Sequence, residues 1–143
     1  MKIFFLGDIV GKSGRLTVIR NLKDIVKKNK IDFVVVNGEN AADQGVGITE
    51  VISNDLFNSG VDVITTGNHV WDQKETANHI ERETRLLRPE NLTNNSPGNG
   101  FGIYKSQILF LENCLICFLV LKVLFLFLYG LKFLFDPIRG FLL

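Results

Sequence analysis

The chain has 143 residues, 46% of them hydrophobic, and a formal charge of +1, which is one domain's worth of sequence with enough apolar material for a core. The balance of 16 basic and 15 acidic residues excludes both a global basic field for nucleic acid and an acidic, disordered composition. The opening string MKIFFLGD is charged too early, and is apolar over too short a run, to read as a secretory signal peptide.

The first predicted strand is Lys2-Ile3-Phe4-Phe5-Leu6, and Gly7-Asp8 follows it directly. Ser13 is then placed to cap a helix whose Leu16, Ile19, Leu22, Ile25 and Val26 share one face. The polar run Lys27-Lys28-Asn29-Lys30 suits that helix's carboxyl end. A second strand, residues 31–36, is apolar at nearly every position, as expected of a strand covered on both faces. Gly38-Glu39-Asn40 opens a Gly-rich loop that runs to Gly47; Thr49 then starts a second helix and Gly60 ends it. The third strand, residues 61–65, gives way to Gly67-Asn68-His69. Asp72 with Glu75 three residues on predicts the capped start of a third helix, which carries His79 on its surface. Residues 88–99 read as a loop, and Phe101-Gly102-Ile103-Tyr104 as a candidate fourth strand. The β-α alternation predicts an α/β fold with a parallel sheet and right-handed crossovers.

Composition changes after Gln107. Seven of the twelve Phe and both Cys lie beyond it, in a run dominated by Leu, Phe, Ile and Val. This divides the chain into residues 1–107, a soluble-type α/β domain, and a hydrophobic tail, residues 108–143. Cys114 and Cys117 form a C-x-x-C with no second Cys pair or nearby His, so two buried thiols are expected rather than a zinc or redox site. Residues 114–132 sum to roughly −2 to −3 kcal/mol in favour of bilayer insertion, so membrane contact through the tail is the alternative class of function. The other reading of the tail is collapse onto the uncovered sheet.

A parallel sheet would bring Asp8, Glu39, Asn40, Asn68 and His69 to one rim, at the carboxyl ends of neighbouring strands, where open α/β sheets bind ligands. Divalent cations that activate water need oxygen and nitrogen ligands on a rigid frame. Asp8 is a candidate first ligand, Glu39 has two oxygens with which to bridge two ions, and Asn40 and Asn68 offer neutral carbonyl oxygens. His69 is the candidate catalytic residue, an imidazole suited to protonating a leaving alcoholate near neutral pH. The adjacent glycines allow backbone and ligand to approach closely. Each tripeptide alone is an ordinary turn; three strand ends out of three carry the inference. Trp71 is read as a packing residue. A rival motif, Gly7-Asp8-Ile9-Val10-Gly11-Lys12-Ser13, nearly spells a P-loop, but it has three residues between its glycines where the pattern needs four. Asp8 would also set a negative charge against a bound phosphate.

The strings Gly7-Asp8-Ile9-Val10-Gly11-Lys12, Asn37-Gly38-Glu39-Asn40-Ala41-Ala42, Gly45-Val46-Gly47-Ile48-Thr49, Thr66-Gly67-Asn68-His69-Val70-Trp71-Asp72 and Leu87-Arg88-Pro89 resemble the YmdB-like metallophosphoesterases, a branch of the calcineurin-like superfamily. The resemblance covers roughly residues 1–107. It implies a parallel β-α-β-α-β half of a four-layer α/β/β/α sandwich, followed here by an apolar tail. It also implies a two-metal site of iron or manganese and hydrolysis of phosphodiesters such as 2′,3′-cyclic nucleotides, in a cytoplasmic protein with no stable nucleic-acid partner. By position, Asp8, Glu39, Asn40 and Asn68 match metal ligands, with Glu39 bridging, and His69 matches the general acid. The family's second half supplies three further histidine ligands, whereas this chain has no histidine after His79. The tail is accordingly read as translation out of frame, and the chain alone is expected to show little or no activity.

Overall fold

The computed structural model describes residues 2–105 and 113–117. Strands β1 (Ile3–Leu6), β2 (Phe33–Asn37), β3 (Val63–Thr65) and β4 (Leu86–Leu87) form one parallel sheet in the order β1-β2-β3-β4. Helices α1 (Gly11–Asn29), α2 (Glu50–Ser59) and α3 (Thr76–Ile80) connect them. The expected α/β alternation therefore stands, with strands adjacent in space in the order they occur in sequence.

Strand alternation divides the apolar side chains between two faces. Val34, Val36, Ile64 and Leu86 pack with Leu22 of α1, Ile52, Leu56 and Phe57 of α2, and Ile80 of α3. All three helices thus lie on one face, as successive same-handed crossovers between neighbouring parallel strands require. Phe33, Val35, Val63 and Leu87 point the other way and are also buried, with Tyr104 packed against them.

The helix ends correct the sequence reading at two places. Ser13 does not cap α1: the helix starts at Gly11, its N-cap is Val10 without a side-chain bond, and the Ser13 carbonyl accepts from the Thr17 hydroxyl. The physical reason is that the Gly11 N–H, an orphan donor of the first turn, is taken by the Asn40 carbonyl at 2.8 Å. Asp72 does not cap α3 either; α3 begins at Thr76 after Glu75, with no side-chain cap. Instead Glu75 Oε1 accepts from the backbone N–H of Glu50, at the start of α2. That helix is bounded as expected, by the Thr49 hydroxyl accepting from Ile52 N–H at 3.2 Å and by Gly60 at φ 112°.

The fourth strand of the parallel sheet is Leu86–Leu87, too short to read from sequence. The expected fourth strand, Phe101 to Tyr104, is a strand, β5 (Phe101–Lys105), but belongs to a second sheet, antiparallel to β6 (Asn113–Cys117). The change of composition after Gln107 falls between β5 and β6. Cys114 and Cys117 lie on the β6 backbone, and residues 118–143, with most of the proposed membrane segment, fall outside the described residues. Among the described residues no helix is long and apolar enough to cross a membrane.

His79, expected at the surface, is buried at 5% exposure, with its Nε2 2.7 Å from Ser53 Oγ. The short α3 packs against α2, so its last turn faces protein rather than water. Trp71 packs on the main core, as expected.

Candidate metal and phosphate site

The register sets the strand ends level: Leu6 pairs with Val36, Val36 with Ile64, and Ile64 with Leu86. The segments that follow are then stitched along one rim, Ile9 N–H to Asn37 C=O at 3.0 Å, Gly38 N–H to Thr65 C=O at 2.9 Å and Thr66 N–H to Leu87 C=O at 2.9 Å. Asp8, Glu39, Asn40, Asn68 and His69 all leave the sheet there.

Contacts among them are direct. Asn40 Nδ2 donates to both carboxylate oxygens of Asp8 at 3.0 Å. Because an ionised carboxylate only accepts, the amide nitrogen of Asn40 must face Asp8 and its carbonyl oxygen must face away. Among the described residues that oxygen, Asn40 Oδ1, is buried with no hydrogen-bond partner, and so is Glu39 Oε2. Glu39 lies over Gly67 so closely that a Cβ there would fall 1.6 Å from Oε2. Its backbone is fixed by the Asn37 side chain, whose Oδ1 accepts from Glu39 N–H at 2.9 Å. Burial pushes the Glu39 carboxyl above its ordinary range and the Asp8 charge adds to the rise, while the His69 charge and the backbone amides of His69 and Asn68 oppose it.

His69 is half-exposed and its Nδ1 lies 2.6 Å from Asp72 Oδ2. Asn68 is exposed beside it, and no side-chain hydrogen bond ties it to the other four residues. The rim thus joins Asp8 to Asn40 and sets Glu39 against Gly67, with His69 close enough for its charge to act on Glu39.

An acceptor-rich cluster of this kind has a chemical meaning. A buried oxygen without a donor costs free energy, and a cation removes that cost for several oxygens at once. The orphaned Glu39 Oε2 and Asn40 Oδ1, beside the Asp8 carboxylate, therefore fit a divalent cation. The fit is partial: among the described residues no three His, Cys, Asp or Glu side chains converge on a metal-sized site.

Three supporting residues were not assigned to the site from sequence. Asn37 holds Glu39 through an i to i+2 bond, for which Asn before Gly was the available signal. Asp72 turns to His69 instead of capping a helix. Arg15, only 8% exposed, ties α1 to the loop beyond Asn40 by donating to Ala41 C=O and, at 2.7 Å, to Asp43. No periodicity argument finds a buried arginine of that sort.

The parallel α/β sheet thus carries acidic and carboxamide side chains at its carboxyl rim, the edge at which open α/β sheets bind ligands. The YmdB-like protein family model matches residues 4–122, and the chain belongs to that family. It is 43% identical over 107 residues to the 2′,3′-cyclic-nucleotide 2′-phosphodiesterase of Bacillus subtilis, covering 75% of this chain and 40% of that protein. Among solved structures, a hypothetical protein from Thermus thermophilus matches with TM-score 0.73 at 35% identity, over 82% of this chain and 44% of the other. A novel phosphatase from Mycoplasma pneumoniae matches with TM-score 0.67 at 35% identity, over 73% of this chain and 38% of the other. The chain spans about 40% of the length of the curated relatives it matches.

Proposed function

We propose that the rim is part of a divalent-metal phosphodiesterase site acting on phosphodiesters of the 2′,3′-cyclic nucleotide class. The observation that carries this reading is the pair of buried acceptors without donors, Glu39 Oε2 and Asn40 Oδ1, beside the Asp8 carboxylate. The name of the B. subtilis relative supports the substrate class.

In this reading Asp8, Glu39, Asn40 and Asn68 would hold iron or manganese ions. Bound ions would supply positive charge against the phosphoryl oxygens and the charge that develops on them. The chain's own residues prepare the site. Asn40 holds the Asp8 carboxylate in place, and Asn37 and the missing side chain of Gly67 fix Glu39 at the rim. His69 delivers a proton from Nε2 to the departing ribose oxygen.

Two carboxylates and two carboxamides cannot fill the coordination shells of two ions. The chain's other histidine, His79, is committed to Ser53. We therefore expect this 143-residue chain, whose residues 1–107 form the metallophosphoesterase portion, to bind metal weakly and turn over slowly on its own. A cytoplasmic location fits a cyclic nucleotide substrate.

Calorimetric titration with Mn²⁺, paired with a 2′,3′-cyclic AMP hydrolysis assay, tests this. Weak Mn²⁺ binding that Glu39→Gln or Asn40→Ala abolishes is the expected result, with turnover far below that of a full-length relative assayed alongside. Binding unaffected by either substitution, or no binding at all, would overturn the metal reading. Turnover equal to the full-length relative's would overturn the incompleteness of the site.

A further inference from the structure

The near-neutral total charge conceals an uneven distribution. Residues 1–30 hold eight basic and two acidic side chains, whereas residues 31–105 hold five basic and eleven acidic. Most of the first group lies on α1. Lys12, Arg20, Lys23 and Lys27 are all exposed, and their spacing places them within about a quarter-turn of one another around the helix. At a rise of about 1.5 Å per residue they form a stripe about 22 Å long. Among the described residues none of the four side chains makes a hydrogen bond or an ion pair, not even with Asp24, the single acid of α1. The apolar side of the helix is committed to the fold: Leu22 is buried, and Val18, Ile19 and Val26 pack on the core.

A solvated helix face ordinarily mixes signs, because opposite charges four residues apart pair. Here Lys23 and Lys27 are like charges at that spacing, and Lys12 sits in the first turn, where the helix dipole disfavours a cation. The stripe begins at the rim. Gly11 N–H bonds Asn40 C=O at 2.8 Å, and Asp43, in the loop beyond Asn40, is already taken by Arg15 at 2.7 Å. A row of unpaired cations leading to a site for phosphodiesters matches a row of phosphates. A 2′,3′-cyclic phosphodiester needs both ribose hydroxyls, and in a polymer it stands only at the 3′ end of RNA. We propose that α1 is the track for the backbone of a single-stranded RNA whose 3′ end, closed as a 2′,3′-cyclic phosphate, lies at the rim. The placement of that end rests on the function proposed above; the track does not. An anionic bilayer matches less well, since α1 has buried its apolar side and has none to insert.

Fluorescence anisotropy with a short 5′-labelled oligouridylate ending in a 2′,3′-cyclic phosphate tests the track, first in EDTA so that no metal contributes. Affinity should fall with salt, log K against log salt having a slope of about −3, the value for four single-strand phosphates neutralised. The combined Lys12→Gln, Arg20→Gln, Lys23→Gln and Lys27→Gln variant should keep the fold by circular dichroism, lose at least about tenfold in affinity at low salt and flatten the slope toward zero. Lys23→Gln alone should reduce the slope by about 0.7. Lys74→Gln, at an exposed position outside α1, should change neither affinity nor slope. A folded combined variant that binds the RNA as the wild type does would overturn the track, and so would a Lys74→Gln effect equal to that of Lys23→Gln. No RNA binding by the wild type, with flotation on phosphatidylglycerol vesicles that the combined variant loses, would assign α1 to a membrane surface instead. Mn²⁺ then separates the end from the track. In Mn²⁺ the cyclic-ended RNA should bind more tightly than the same RNA ending in a free 3′ hydroxyl. Equal affinities, with the dependence on the four cations intact, would leave α1 as an RNA track and overturn the cyclic-phosphate reading of the rim.

Discussion

At the level of single residues, the rim depends on a side chain that is missing. Gly67 leaves the space that Glu39 fills, and its backbone is not in the left-handed region, so alanine is conformationally tolerated there. The atoms an added Cβ would strike are the far end of the flexible Glu39 side chain, not backbone. Glu39 would therefore swing away, at a cost to folding of about 1 kcal/mol or less, within the range of tolerated core changes. Its carboxylate would leave the rim. Gly67→Ala is accordingly expected to keep the fold by circular dichroism while Mn²⁺ affinity falls at least about tenfold, about 1.4 kcal/mol of binding free energy. A variant with unchanged affinity would show that Glu39 does not hold the ion. Gly47→Ala should do the reverse. Its positive φ and its contacts with backbone atoms of Gln73 and His69 make alanine strained, at about 1–3 kcal/mol of stability.

Among the elements, the ends of the helices separate what sequence could tell from what it could not. Thr49 and Gly60 were legible because both caps are local: the donor or the left-handed turn lies within a few residues. Ser13 and Asp72 carry the same local signals and do not cap, because partners distant in sequence intervene. The Asn40 carbonyl takes the donor at the start of α1, and His69 takes the Asp72 carboxylate. Thr49→Ala should therefore cost about 1 kcal/mol, and Ser13→Ala should stay within about 0.5 kcal/mol of wild type, as seen by urea denaturation. Equal effects would mean that Ser13 caps α1 after all. The shared rim placement of the candidate site residues was legible for a related reason. Asp8, Glu39, Asn40, Asn68 and His69 each follow a strand closely, and a parallel sheet turns that shared position into proximity. Arg15 and Asn37 support the rim through contacts that need the folded loop to be seen. The two-residue β4 has no run long enough to show a period, and its absence from the sequence reading is what let β5 stand in its place.

In the whole molecule, the two ends of the parallel sheet have opposite electrostatic characters. The carboxyl rim holds acceptors without donors, whereas the amino edge is tightly paired. Before β3, Asp62 accepts from Val34 N–H at 2.7 Å. Before β4, Glu83 and Arg85 form a two-pronged ion pair at 2.9 and 2.7 Å, and the guanidinium lies 3.9 Å from the centre of the Phe57 ring. Tyr104 reaches the same edge from β5, donating to Thr84 C=O at 2.6 Å and packing its ring against Phe33. Stability should therefore titrate from the amino edge. The Arg85 hydrogen bonds hold the Glu83 carboxyl below its ordinary range, so that pair stabilises above about pH 4.5 and is lost as pH falls further. Burial holds Asp62 above its range, which has the opposite sign and softens the acid limb. On the alkaline side, burial pushes the Tyr104 hydroxyl up to about 12, the Glu83 charge adds to the rise, and Arg85 opposes it. An unfolded tyrosine ionises near 10, so the folded state retains the proton over a range where the unfolded state has released it. The stabilisation is complete below pH 10 and is lost between there and about 12. Tyr104→Phe should lose about 1 kcal/mol at neutral pH, from the Thr84 bond, and this deficit should shrink as pH rises through that window. Urea midpoints of the two proteins along an alkaline series would show the curves converging. Parallel curves would place the Tyr104 hydroxyl in water and detach β5 from the amino edge of the sheet.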